Sequence, residues 1–156
     1  MDARTKQARI ETFERMCRAR GIPCTIQRRT VLGATLDRED HPTANQVFET
    51  VSKRNRGISR ATVHRTLETL VQMGVIAKTC HPGNLVRYDA CTETHHHLVC
   101  MHCSKVIDFR DENLDSLHIP DTSAYGFEVA DLRVQLRGVC SDCRERMSRE
   151  RVRKRK

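Results

Sequence analysis

Two closely spaced cysteine pairs constrain the fold of this chain more than any other feature. Cys100 and Cys103 form one C-x-x-C pair, and Cys140 and Cys143 form a second. Each pair can direct two sulfur atoms at one ion, and two pairs complete the tetrahedral four-thiolate site that zinc prefers. Because four protein ligands leave no coordination position open, we predict a structural zinc site. The alternative is a pair of disulfides, which an oxidising compartment favours.

A second set of metal-binding side chains is interleaved with the first cysteine pair. His95 and His97 are two residues apart and point to the same face of a strand, whereas His96 points to the other face. Imidazole and carboxylate donors together suit Fe²⁺, Mn²⁺ or Zn²⁺. We therefore predict a second, five-ligand metal site: His41, Asp89, His95, His97 and Asp108. The alternative is that the three consecutive histidines form only a polar surface turn.

The charge is distributed unevenly along the chain. The formal net charge is +8 for residues 1–88, −6 for residues 89–143 and +6 for residues 144–156. A basic first part predicts a polyanion partner for that part alone, although a solvated basic surface also explains the charge. The charged N-terminus lacks the apolar core of a signal peptide, no segment has transmembrane length, and tight cysteine pairs favour reduced thiols. These features predict a cytoplasmic protein.

The first part of the chain predicts four helices. Apolar residues recur at helical spacing over residues 3–20, and Gly21 is a suitable stop. Three further helices are expected to begin after the capping residues Thr25, Thr43 and Ser59. The apolar residues predicted for the second helix are Ile26, Val31, Leu32 and Leu36.

The third and fourth helices predict a helix-turn-helix motif. The turn between them contains Gly57, and the fourth helix buries an apolar stripe that includes Val63, Leu67 and Leu70. Its other face can then enter the major groove of DNA. We predict DNA contacts from residues near the start of this helix: Ser59, Arg60, Ala61, Thr62, His64 and Arg65. Helix pairs of this kind also occur in proteins that do not bind DNA.

A β-hairpin is predicted to follow, with the turn at Pro82, Gly83 and Asn84. A hairpin at this place gives a winged helix, with Lys78 and Arg87 available to DNA phosphates. The alternative is a hairpin that only covers the helical core.

Beyond Asp89 the pattern changes to short strands. Residues 97–100 and 105–109 predict strands, residues 114–117 a short helix, and residues 127–140 a long strand or a bent pair. The remaining residues predict a helix that frays into a basic tail.

Several segments together resemble the ferric uptake regulator (Fur) superfamily. They are H-P-T-A (41–44), S-R-A-T-V-H-R-T-L (59–67), R-Y-D (87–89), H-H-H-L-V-C-M-H-C (95–103), V-I-D-F (106–109) and G-V-C-S-D-C (138–143). The resemblance extends from about Ile22 to Cys143. It implies an α+β fold with a winged helix-turn-helix DNA-binding domain (1–88), a small α/β dimerisation and metal-binding domain stapled by the four-cysteine zinc site (89–143) and a basic tail (144–156). It also implies a homodimeric repressor that binds an inverted-repeat DNA operator when a regulatory metal is bound.

Finer features of the resemblance favour the peroxide-sensing (PerR-like) branch. Asp89 and Asp108 stand where iron-uptake regulators commonly carry glutamates. The resemblance then implies Fe²⁺ or Mn²⁺ as the regulatory metal, and metal-catalysed oxidation of His41 or His95 as the signal. Two departures are visible: the strand near Asp131 lacks a histidine that completes a further metal site in some iron regulators, and His64 replaces a tyrosine that is usual in the recognition helix.

Three other functions compete with this one. An iron-, zinc- or manganese-responsive uptake repressor uses the same five ligands. An enzyme needs an open metal in a substrate pocket, which neither predicted site resembles, so we predict no enzymatic activity. A zinc-ribbon interaction module leaves His41 and the helix-turn-helix unexplained. The other cysteines are expected to be small buried hydrophobic residues, with a redox role for one of them as the alternative: Cys17, Cys24, Cys80 and Cys91.

Overall fold

The computed structural model describes residues 1–81 and 85–153, without the side chains of Cys80, His81 and Val152. The predicted turn at residues 82–84 and the end of the basic tail lie outside the described residues. The chain divides into two compact units, Met1–Thr92 and Glu93–Lys156.

Four helices make up most of the first unit. They are α1 (Ala3–Ala19), α2 (Ile26–Leu36), α3 (Ala44–Ser52) and α4 (Arg60–Gln72). As predicted, Thr25, Thr43 and Ser59 are the N-caps of the last three, and each side chain accepts a hydrogen bond from a backbone N–H of the first turn. Such caps satisfy donors that have no partner within the helix, which is why each helix begins where it does.

The helices of the first unit enclose its hydrophobic core. Buried residues from all four helices and from the hairpin belong to it, among them Phe13, Leu32, Leu36, Val47, Val63, Leu67, Leu70, Ile76 and Tyr88. The prediction that Ile26 packs with the apolar residues of α2 was wrong, because its side chain is 69% exposed. Ile26 is the first residue of α2 and precedes the buried part of that helix, which begins at Val31.

The predicted hairpin follows α4. Gly74 ends that helix in the left-handed region, with φ of 70°, where residues with a side chain are rarely found. Strand β1 (Ala77–His81) then pairs with β2 (Leu85–Asp89) in antiparallel orientation, and Ala77 lies opposite Asp89. Asp89 therefore lies at the base of the hairpin, opposite Ala77, which follows shortly after α4 in the sequence.

A three-stranded sheet forms the centre of the second unit. The strands are β3 (His96–Cys100), β4 (Val106–Phe109) and β5 (Gln135–Gly138), in the order β4-β3-β5. Strand β3 is antiparallel to β4 and parallel to β5. The long strand or bent pair predicted over residues 127–140 was wrong: within that range only β5 is a strand. The first residue of β5, Gln135, pairs with His97, and β3 begins at His96. Residues before Gln135 therefore have almost no part of β3 left to pair with.

Two helices complete the second unit. The short helix predicted at residues 114–117 is α5 (Glu112–Asp115), which starts earlier because the Asp111 side chain accepts hydrogen bonds from the N–H groups of Asn113 and Leu114. The last helix, α6, covers Ser141–Arg153. Together the units confirm the predicted α+β fold. Among the described residues, each helix falls short of the length and apolar character that crossing a bilayer requires.

Candidate functional site

The four predicted zinc ligands come together in the second unit. Cys100 ends β3, Cys103 lies in the following turn, and Cys140 and Cys143 lie just before and within the first turn of α6. Their four sulfur atoms lie within 4.8 Å of one another. The sulfur atoms of Cys103 and Cys140 are 3.7 Å apart, so the two pairs face each other. This cluster fits a four-thiolate zinc site, which leaves no coordination position open.

The surroundings of these thiols favour the thiolate at one position and oppose it at another. Backbone N–H groups of Cys140 and Cys103 lower the pKa of the Cys100 thiol to about 5, and the N–H of Cys140 lies 3.4 Å from that sulfur. Burial raises the pKa of the Cys143 thiol to about 12. Binding a metal as four thiolates therefore releases protons, and the affinity of the cluster depends on pH.

Two of the five predicted ligands of the second metal site meet within the first unit. His41 lies between α2 and α3, and its Nε2 is 3.4 Å from Oδ2 of Asp89. The other carboxylate oxygen of Asp89, Oδ1, accepts a 2.7 Å hydrogen bond from the N–H of Cys91. This bond fixes the carboxylate and leaves Oδ2 facing His41. Both side chains are only 2% exposed, so the pair combines an imidazole and a carboxylate out of bulk water.

The other three predicted ligands meet within the second unit. His97 lies on β3, His95 immediately precedes that strand, and Asp108 lies opposite His97 on β4. Nε2 of His95 is 3.0 Å from Nε2 of His97 and 3.4 Å from Oδ1 of Asp108. Nε2 of His97 is 3.6 Å from the same oxygen. The alternative of a polar surface turn was wrong, because both imidazoles are buried.

The hydrogen bonding of His95 prepares one ring nitrogen for a metal. Its Nδ1 lies 2.7 Å from the carbonyl oxygen of Glu93, which can only accept, so Nδ1 carries the proton. In the neutral ring Nε2 then holds the lone pair, and this is the atom that faces His97 and Asp108. A backbone carbonyl that binds the distal nitrogen is a usual way to orient a metal-binding histidine.

His96 points away from this group, as its place on β3 predicts. Its Nδ1 accepts a 3.1 Å hydrogen bond from the N–H of Val134, and its Nε2 lies 3.1 Å from Oδ1 of Asp115. The ring packs at 5.7 Å from that of Phe109. His96 therefore belongs to the interior of the second unit and not to the ligand group.

The residues predicted to contact DNA lie at the start of α4. Ser59 caps the helix by accepting a 3.1 Å hydrogen bond from the N–H of Thr62. Ala61, His64 and Arg65 are exposed on the helix surface. These short or basic side chains leave the helix accessible to base edges and phosphates.

Arg60 also makes contacts between the two helices of the helix-turn-helix. Its Nη1 donates a 2.8 Å hydrogen bond to Oδ1 of Asn45, and its guanidinium carbon lies 4.4 Å from the ring centroid of Phe48. Asn45 and Phe48 both belong to α3. Arg60 therefore ties α4 to α3.

The prediction that Arg87 is available to phosphates was wrong. Its side chain is buried, and its Nη1 donates to the carbonyl oxygens of His41 at 2.8 Å and Asp40 at 3.2 Å. These two carbonyl acceptors offset the cost of removing the guanidinium from water. Lys78 is more accessible, but its Nζ lies 3.0 Å from Oε1 of Glu68.

A polar cleft beside α4 includes residues that the sequence analysis did not select. The start of α2 and one face of α4 line it: Pro23, Thr25, Gln27, Arg28, Thr62, Arg65, Thr66 and Thr69. Its charged side chains, Arg28 and Arg65, are both basic. The adjacent arginines Arg28 and Arg29, one turn after the cap Thr25, were the available signal in the sequence.

The cysteines outside the four-thiol cluster follow the simpler expectation in part. Cys17 is fully buried in the core of the first unit, and Cys24 packs against that core with partial exposure. Cys91 is also partly exposed. The side chain of Cys80 lies outside the described residues.

Comparison with protein families identifies the chain. The sequence model of the family described as "Ferric uptake regulator family" matches residues 19–137. This range includes all five predicted ligands of the regulatory site and the first cysteine pair. The chain belongs to the ferric uptake regulator family. It is therefore a metal-responsive regulator of that family, as its resemblance implied.

Curated proteins similar to this chain include one whose name refers to peroxide. The "Peroxide-responsive repressor PerR" of Staphylococcus epidermidis is 28% identical over 128 residues, which cover 82% of this chain and 85% of the relative.

Two solved structures extend the comparison. A "zinc-bound manganese uptake regulator" has 31% identity and a TM-score of 0.65, over 81% of this chain and 97% of that one. The ferric uptake regulator Fur of Helicobacter pylori, described with three functional metal-binding sites, has a TM-score of 0.76 at 19% identity. The match covers 89% of this chain and 93% of the Helicobacter chain, and at this identity it bears on the fold alone.

Proposed function

We propose that this chain is a homodimeric transcriptional repressor that binds operator DNA in its metal-loaded form and releases it when peroxide oxidises a ligand histidine. The observation that carries the proposal is the pair of His/Asp groups, one in each unit. His41 and Asp89 form the first group, and His95, His97 and Asp108 form the second. The name of the relative in Staphylococcus epidermidis supports peroxide as the signal.

In this proposal the two groups bind one regulatory ion, Fe²⁺ or Mn²⁺. Three imidazoles and two carboxylates suit a borderline divalent cation. His41 lies just before the helix-turn-helix, and Asp89 ends the hairpin that follows it. An ion held by both groups joins the DNA-binding elements to the second unit. Metal binding then favours the arrangement of the two DNA-binding domains that fits one operator.

The ligand histidines are the proposed targets of oxidation. Bound Fe²⁺ supplies the redox chemistry that activates peroxide at the site. One oxygen atom of peroxide is added to the imidazole of His41 or His95, and the other leaves as water. The modified ring no longer offers the same nitrogen lone pair, so the ligand set becomes incomplete and the repressor loses affinity for its operator.

The DNA interface and the dimer interface are proposed to lie in different units. Within the first unit, residues 1–88 are the proposed DNA-binding domain. The exposed start of α4 is proposed to read the major groove. In the second unit, Leu98 lies opposite Ile107 on β4 and Leu136 on β5. All three are more than 40% exposed and form an apolar strip on one sheet face. A second copy that covers this strip removes it from water, which supports residues 89–143 as the dimerisation domain.

The cysteine cluster is proposed to hold structural Zn²⁺. Four thiolates match zinc in number and type, and a closed tetrahedral site does no chemistry on substrates. Reduced thiols agree with a cytoplasmic location, which we also propose. The basic tail, residues 144–156, is assigned no specific contact.

A metal-uptake repressor is the second candidate. The observation that favours it is the 31% identity to the manganese uptake regulator. Such a protein uses the same five ligands but responds to the concentration of iron, zinc or manganese, and not to peroxide. The two functions differ in what peroxide does to the Fe²⁺-loaded protein.

The deciding experiment is anaerobic operator binding with the zinc-containing protein loaded with Fe²⁺ or with Mn²⁺. The operator is first recovered from a random-sequence duplex pool with the Mn²⁺ form. Each form is then exposed to dilute peroxide, its operator affinity is measured, and its peptides are mapped by mass spectrometry. Mn²⁺ serves as the matched control because it occupies the same ligands with different redox chemistry.

We expect the Fe²⁺ form alone to release DNA while His41 or His95 gains the mass of one oxygen atom. If both forms stay bound and unmodified, the peroxide function is wrong and the uptake-repressor function stands. A protein that binds the same DNA with and without metal would contradict both.

A further inference from the structure

His41 is held in a backbone conformation that its own sequence context opposes. Its φ is 52°, in the left-handed region where residues other than glycine are uncommon. It also precedes Pro42, and a following proline pushes a residue towards extended conformations. Such a conformation is strained and persists only where surrounding contacts enforce it. The conformation of His41 therefore requires contacts that hold it.

Strand β2 provides these contacts at the strained residue itself and on both sides of it. Nη1 of Arg87 donates to the carbonyl oxygen of His41 at 2.8 Å and to that of Asp40 at 3.2 Å. The N–H of Tyr88 donates to the carbonyl oxygen of Pro42 at 3.0 Å. The segment continues into Thr43, whose capping box starts α3. The carbonyls of three consecutive residues are thus fixed by two neighbouring residues of one strand.

The same strand carries the carboxylate that faces the His41 imidazole. Arg87 and Asp89 are two residues apart on β2, so their side chains leave the same face of the strand. One holds the backbone of His41 and the other lies 3.4 Å from its Nε2. Arg87 is only 7% exposed, so its guanidinium is placed for contacts inside the unit.

We propose that Arg87 is a positioning residue for the regulatory metal: it holds His41 in the left-handed conformation that aims its imidazole at the place shared with Asp89. The inference rests on the proposed regulatory site and adds a residue to it that is not a ligand. Arg87 stabilises the conformation of His41 before any metal arrives, so less ordering remains when the metal binds.

The sign of the effect separates positioning from simple electrostatics. A guanidinium beside a divalent cation repels it, so removing the charge strengthens metal binding if Arg87 acts only through its charge. If Arg87 acts by holding His41, removing it weakens metal binding. Loss of a group that orients a metal ligand typically lowers affinity about 10- to 100-fold.

The first test measures Mn²⁺ dissociation constants for the full-length, zinc-containing protein. Arg87→Met removes the charge and the donors while keeping an unbranched side chain, and Arg87→Lys keeps the charge without the forked donors. Lys78→Met is the matched control, because it removes a cation of the same hairpin that pairs with Glu68. We expect Arg87→Met to weaken Mn²⁺ binding about 10- to 100-fold, Arg87→Lys to weaken it less, and Lys78→Met to leave it unchanged or slightly tighter. Unchanged or tighter binding by Arg87→Met overturns the proposal.

A second test needs no regulatory metal. Urea unfolding of the zinc-containing protein is measured for Arg87→Met, for His41→Gly and for the double variant. Glycine adopts φ of 52° without strain. When Arg87 is lost, a histidine can leave the strained region and recover part of the cost, whereas a glycine has no strain to recover. Arg87→Met should therefore lower the unfolding midpoint more when His41→Gly is already present than in the wild type. Equal losses in both backgrounds contradict a role for Arg87 in holding His41.

The two tests distinguish failure of the inference from failure of the proposed function. If the wild-type protein binds Mn²⁺ only at the cysteine cluster, the proposed regulatory site is wrong. The urea measurements on the single and double variants still decide whether Arg87 holds His41. If instead the wild-type protein binds Mn²⁺ at the regulatory site, Arg87→Met binds it equally well and the urea effects are additive, the regulatory site stands and the inference about Arg87 is wrong.

Discussion

The hydroxyl of Tyr88 donates a 2.9 Å hydrogen bond to Oε1 of Glu68, which joins strand β2 to helix α4. Lys78, on β1, donates to both oxygens of the same carboxylate. The hairpin is thus fastened to the proposed recognition helix by two polar side chains that meet at one residue. Tyr88 is also the neighbour of Arg87 and Asp89, so the strand that serves the regulatory site is fixed to the helix proposed to read DNA.

Tyr88→Phe is expected to destabilise the first unit by about 1 kcal/mol. The change removes one hydrogen bond to a carboxylate and keeps the buried ring. A hydrogen bond to a charged group contributes about 1.5–3 kcal/mol, and the 36% exposure of Glu68 reduces this contribution. Glu68 keeps its contact with Lys78, so it is not left without a partner. Urea unfolding measures the effect. The control is Tyr125→Phe, at a tyrosine that is 80% exposed, where no change is expected; equal effects of the two variants contradict the prediction.

The same carboxylate predicts a dependence of stability on pH. Hydrogen bonds from Lys78 and then Tyr88 lower the pKa of Glu68 below its ordinary value of 4.5. A group whose pKa is lowered by folding adds stability above its unfolded pKa, and that stability is lost as the pH falls through the folded pKa. Because Glu68 is 36% exposed, we expect a contribution below about 1 kcal/mol.

Unfolding free energies of wild type and Glu68→Gln, measured between about pH 6 and pH 3, test this dependence. The advantage of wild type should shrink as the pH falls through the acidic end of the range. Two curves that stay parallel over the whole range rule out the contribution from Glu68.

Local chemistry made the helices of the first unit predictable. Thr25, Thr43 and Ser59 cap their own helices, and a cap depends only on residues of the first turn. The spacing of His95 and His97 likewise fixed their common face, and two C-x-x-C pairs fixed the composition of the zinc-type cluster. These features follow from residues close in sequence.

Contacts between distant segments decided what the sequence could not predict. The burial of Arg87 depends on carbonyl groups at Asp40 and His41, 47 and 46 residues away. A charged residue on a hairpin is ordinarily assigned to the surface, and no local pattern marks these acceptors. The extent of β5 depends in the same way on the part of β3 that is available to pair with it.

Removal of zinc is expected to unfold the second unit and leave the first unit folded. Among the described residues of the second unit, the buried hydrophobic side chains are few, and two of them belong to the four-cysteine cluster: Val99, Cys100, Val106 and Cys143. A core of this size cannot hold a domain without a metal or a partner surface. Cys103→Ser should therefore lower zinc content and expose the amides of β3 and β5 to hydrogen exchange, while α1 to α4 stay protected. Cys24→Ser, outside the cluster, is the control, and retained protection of β3 in Cys103→Ser contradicts the prediction.

Arg65 and Arg28 line the same cleft but are expected to contribute differently to DNA binding. Arg65 lies on the exposed face of α4 and Arg28 lies on α2. We expect Arg65 to reach base edges and Arg28 to reach the phosphate backbone. Arg28→Ala should weaken binding to all sequences alike and reduce the salt dependence of affinity by about one phosphate contact. Arg65→Ala should cost about 1–3 kcal/mol at the operator and relax the preference at one base pair.

Operator affinities at several salt concentrations, together with a set of single-base operator variants, separate the two effects. Arg15→Ala is the control, because Arg15 is an exposed arginine of α1 outside the cleft and its loss removes the same charge. If Arg15→Ala changes affinity and salt dependence as much as Arg28→Ala does, the basic surface acts only through its net charge and the cleft has no special part in binding. If Arg65→Ala leaves the base preference intact, the start of α4 is in contact with phosphates and sequence is read elsewhere.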